Sequence, residues 1–73
     1  MSLFPNPVSQ RLNVRIGDVE GRTYRVVNSM GAVMLEGSLV NGQDINVEQL
    51  ATGTYTISVY GKNQPVTRRF VKR

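Results

Sequence analysis

The chain has neither cysteine nor histidine. No disulfide can staple it, and no thiolate or imidazole is available as nucleophile, general base or metal ligand, so the usual zinc sites and nucleophile–base pairs are excluded. Tryptophan is absent too, and there are only three Tyr and two Phe. Carboxylates are scarce: Asp18, Glu20, Glu36, Asp44 and Glu48 are scattered, and they suggest no catalytic pair. Asp18 and Glu20 share a loop, but two carboxylates fall far short of the roughly 6–8 oxygens calcium takes. No apolar run approaches the ~20 residues of a membrane-spanning helix. No stretch has the order of charged, apolar and small residues that marks a secretory signal peptide. The expectation is a domain without catalytic activity, cofactor or metal.

What is present is a 73-residue, mildly basic chain of net charge +4. That length accommodates one domain, which buries only about 60 % of the surface its unfolded chain exposes. The basic balance suits an anionic partner, although many soluble domains carry as much.

The clearest pattern runs through Tyr55, Ile57 and Val59, which alternate with Thr54, Thr56, Ser58 and Tyr60. This period of two, rich in β-branched and aromatic residues and bounded by Gly53 and Gly61, specifies a strand with one buried face. The other segments read as its partners. Leu3 to Val8 is extended but carries Pro5 and Pro7, which fits an edge or a lead-in from which Phe4 and Val8 could reach a core. Arg11–Ile16 places Leu12, Val14 and Ile16 inward, and 17–21 reads as a loop. Thr23–Asn28 and Ala32–Gly37 form a hairpin about the turn Asn28-Ser29-Met30-Gly31, with Tyr24, Val26, Val33 and Leu35 inward. Asn41-Gly42 is a turn dipeptide. Ile45 and Val47 follow at strand spacing, and Glu48-Gln49-Leu50 forms one helical turn. Residues 61–65 are polar turn material. Val66–Lys72 is the last strand, with Phe70 inward and Val71 facing the other way. The sum is an all-β fold, a small antiparallel β-sandwich of about six or seven short strands.

These residues also resemble a known family. Phe4-Pro5-Asn6-Pro7-Val8-Ser9 with Leu12-Asn13-Val14, then Tyr24 to Asn28 with Gly31-Ala32-Val33, then Ile45 to Tyr55, and last Arg68 to Arg73 occur in the order found in C-terminal sorting domains of the bacterial type IX secretion system. Together they span nearly the whole chain, which sets a domain over residues 3–73. The resemblance implies an immunoglobulin-like sandwich and an export tag at the end of a cargo protein. It implies passage through the periplasm, reading by the outer-membrane secretion machinery, removal by a surface sortase, and delivery to the outer-membrane surface or the medium. Its structural motif maps onto Pro5, Asn6, Pro7, Gly31, Leu50, Gly53 and Tyr55, with Gly53 permitting a sharp start to the strand and Tyr55 in the core. Recognition by the machinery is expected at Arg68, Arg69, Phe70, Val71, Lys72 and Arg73, a terminal stretch with four basic side chains whose edge could pair with a receptor strand.

Two other classes compete. A nucleic-acid-binding domain would use Arg11, Arg15, Arg25, Arg68 and Arg69, but such domains interleave stacking aromatics and only Tyr60 is expected to be exposed. No nucleic-acid partner is therefore expected. An adhesion or carbohydrate-binding module is the alternative, and it would normally present flat aromatics. Exposed edges would also permit a homodimer of the isolated domain.

Overall fold

The computed structural model describes residues 2–15, 22–39, 44–61 and 65–73. The expected inward position of Ile16, the loop at 17–21 with Asp18 and Glu20, the Asn41-Gly42 turn and residues 62–64 lie outside them.

The described residues form seven strands and no helix: β1 (Ser2–Phe4), β2 (Arg11–Arg15), β3 (Arg22–Val27), β4 (Val33–Leu39), β5 (Asp44–Asn46), β6 (Gly53–Tyr60) and β7 (Val66–Lys72). They make two antiparallel sheets, ordered β1-β2-β5 and β4-β3-β6-β7. One buried cluster draws on both: Leu12, Val14 and Ile45 from the smaller sheet, and Val26, Leu39, Tyr55, Ile57, Val59 and Phe70 from the larger, joined by Val8, Val47 and Leu50. β6 lies between β3 and β7 with Tyr55, Ile57 and Val59 buried, so the strand with the cleanest alternation sits inside the larger sheet.

The lead-in is an edge strand: β1 pairs with β2, Leu3 opposite Val14. Val8 is wholly buried, whereas Phe4 stays exposed with the Arg15 guanidinium 5.7 Å from its ring centre. The hairpin turn forms as expected. Asn28 Oδ1 accepts the amides of Met30 and Ala32, Gly31 N donates to Asn28 O, and Gly31 takes φ +85°. Asn46 Oδ1 accepts the Glu48 amide and Leu50 N donates to Val47 O, closing the single turn before β6.

Val33 corrects one expectation. It is 46 % exposed, because the β3–β4 register shifts between Val26 and Val27: Val26 pairs with Leu35 but Val27 pairs with Val33. The bulge inverts the alternation, leaving Leu35 against the core and putting Val33 on the outer side. The same strand runs past Gly37 to a buried Leu39. Gly37 is not a stop here. It sits opposite Tyr24, whose ring would lie 3.3 Å from a Cβ at that position.

Candidate functional site: the edge of the last strand

β7 is an outer strand of the four-stranded sheet, so one side of its backbone pairs with β6 and the other faces away. Alternation along Val66–Lys72 turns Phe70 and Lys72 inward and Thr67, Arg69 and Val71 outward. The six tail residues therefore do not act as one exposed patch. Phe70 is fully buried and packs on Tyr55, ring centres 5.7 Å apart and nearly parallel. Lys72 is only 6 % exposed, its stem inside and its Nζ donating to Arg73 O at 3.3 Å. Arg68, Arg69, Val71 and Arg73 are accessible.

The outward backbone of β7 is partly taken. Val8 N donates to Val71 O (2.9 Å), Arg73 N donates to Val8 O (2.7 Å), and Val71 N donates to the side-chain oxygen of Asn6 (3.0 Å). Val8 thus forms a parallel bridge with Lys72. The segment Pro5-Asn6-Pro7-Val8 clips the last residues of β7 from the side opposite β6. Pro5 and Pro7 have no N–H to offer, and both are preceded by cis peptide bonds.

The motif residues before β7 have structural jobs. Gly53 starts β6 at φ +158°, where a side chain is strained. Leu50 is buried under the turn that leads to it. Tyr55 is buried, and its hydroxyl donates to Ala51 O at 2.6 Å. Sequence reasoning assigned Tyr55 to the core but missed this bond, and it missed the contact of Asn6 and Val8 with β7. A phenol four residues after a strand-leading turn was the available signal for the first; nothing in local periodicity signals the second.

Of the other arginines a nucleic-acid reading would use, Arg11 and Arg15 lie on β2 of the smaller sheet and Arg25 on β3 of the larger. Arg25 lies 4.0 Å from Glu36 and 5.8 Å from the Tyr60 ring centre, on the outer face of β3, β4 and β6. Among the described residues no group of His, Cys, Asp or Glu could hold a metal ion.

A family model described as a secretion system C-terminal sorting domain matches residues 2–73. The chain belongs to that family. A comparison with curated proteins finds no match. Membership gives the sorting domain its role in type IX secretion, which carries proteins across the outer membrane to the cell surface or the extracellular space.

Proposed function

We propose that residues 3–73 are a non-catalytic export tag that follows a cargo domain and is read by the outer-membrane type IX machinery through β7. The observation that carries this reading is the family match over residues 2–73 together with the placement of β7 on a sheet edge. The cargo enters the periplasm on its own signal peptide, the tag docks on the machinery, and a surface sortase then removes it. Arg68, Arg69, Val71 and Arg73 meet the machinery, while Phe70 and Lys72 hold the strand in place.

The fold is read as an immunoglobulin-like sandwich. Two antiparallel sheets sharing one buried cluster support that, as does a tyrosine whose hydroxyl reaches back to the backbone four residues upstream, a device typical of such sandwiches.

The test is a fusion of residues 2–73 to a fluorescent cargo with a signal peptide, expressed in a bacterium with a type IX system. A matching fusion lacks residues 68–73. Fluorescence outside the cell for the first and in the periplasm for the second is the expected result. Retention of both would sink the reading.

A further inference from the structure

The hydrogen bonds of Val71 fix which way every backbone group of β7 points. Both its N–H and its C=O are used away from β6, by Asn6 and Val8. In an antiparallel ladder, residues alternate between exchanging both bonds with the partner strand and exchanging neither. Val71, opposite Thr54, is of the second kind, so Arg69 opposite Thr56 and Thr67 opposite Ser58 are as well. The hydroxyls of Ser58 and Thr67 meet at 3.1 Å, as the closer side chains of such a pair should. Arg68 Nη1 also folds back onto Thr67 O at 2.9 Å, an oxygen free to accept because it faces away from β6.

Among the described residues the row beyond β7 is therefore filled at one end and open to a further backbone at the other, where an added strand would displace the Arg68 side chain from Thr67 O. Val8 occupies it beside Val71 and Arg73. Beside Thr67 and Arg69, no backbone partner exists among the described residues. The open half is flanked by the exposed Arg68 and Arg69, β7 contains no acid, and the Arg25–Glu36 ion pair lies elsewhere.

We infer that the open edge at Thr67–Arg69 takes an extended acidic strand of a partner protein, added beside β7 in the row that the Val8 clip already begins. The inference rests on the sorting reading and names the chemistry of its docking step. Backbone pairing supplies the fixed geometry, and Arg68 and Arg69 select acidic over basic strands. A second copy of this chain is a poorer occupant, because copies of net charge +4 repel and each carries only five carboxylates.

Proline scanning reads this directly. Arg69→Pro and Thr67→Pro each remove an outward N–H and place a ring in the path of an added strand while leaving the β6 ladder intact, a position where edge strands tolerate proline. In the secretion assay, either variant should lower export at least tenfold although the isolated domain keeps its fold by circular dichroism. Arg68→Glu with Arg69→Glu should lower it similarly. On the wild-type domain, a synthetic peptide alternating Glu and Val should slow amide exchange at Thr67 and Arg69 at least tenfold without changing Val71 and Arg73. Its Lys–Val counterpart should have no effect.

If the wild-type fusion stays in the periplasm, the sorting reading falls. If it is exported and the folded proline variants are exported equally, the edge inference falls and the sorting reading stands. Equal protection by both peptides would remove the acidic partner. A wild-type dimer in sedimentation that Arg69→Pro dissolves would make a second copy the occupant, which also overturns the inference. Should the proline variants unfold, the peptide experiment on the wild-type domain still decides it.

Discussion

Asn6 and Val71 are joined across 65 residues of chain: the Asn6 side-chain oxygen accepts the Val71 amide at 3.0 Å on the side of β7 that faces away from the sheet. The contact gives the motif asparagine a definite role, because it anchors the tail of a sorting domain from its first segment.

Asn6→Ala should cost about 1 kcal/mol, the usual net worth of one such bond. In a domain this small that lowers Tm by roughly 4–8 °C. Asn6→Asp retains an acceptor and should lose less. Hydrogen exchange supplies the specific check: the Val71 amide should lose protection in Asn6→Ala, whereas the Ile57 amide follows only the global change.

Tyr55→Phe removes the hydroxyl that reaches Ala51 O but keeps the ring on Phe70. The expected loss is about 1 kcal/mol, measured by urea unfolding, because the exposed Ala51 can turn its carbonyl to water. A loss above about 3 kcal/mol would mean that the ring itself had moved.

Neighbours on β7 should behave oppositely. Phe70→Ala opens a cavity in the core and should cost about 3–5 kcal/mol, enough to unfold much of the population. Val71→Ala, on the outer side, should change stability by less than about 0.5 kcal/mol. Thermal melts of the two variants side by side check the alternation.

Gly53→Ala places a side chain at φ +158° and should cost about 1–3 kcal/mol. No neighbouring atom crowds the position, so the cost is conformational and alanine and serine should be penalised equally. A denaturant series of the two variants tests that equality.

The sequence shows some of this fold directly and conceals the rest for definite reasons. Leu12 with Val14, and Tyr55 with Ile57 and Val59, are readable because their alternation runs unbroken through the strand. Val33 is not, because one bulge inverts the phase, and bulges leave no mark in a two-residue period. Leu39 hides behind Gly37, which reads as punctuation until Tyr24 is seen lying across it. In the tail, the alternation shows Phe70 turned inward, but basic composition gives no sign that pleating also buries the stem of Lys72. The Val8 clip is invisible in sequence because it consists of backbone hydrogen bonds between segments with no shared pattern.

The clip ties the integrity of the fold to two segments far apart in sequence. Phe70 is the largest fully buried side chain among the described residues, and the outward bonds at Val71 and Arg73 form only when residues 71–73 meet Asn6 and Val8. A chain broken off before Phe70 lacks both the centre of its core and the strand that the first segment grips. Loss of β7 would therefore damage the fold in two places at once, its core and its seam, so the first and last segments of the domain stand or fall together.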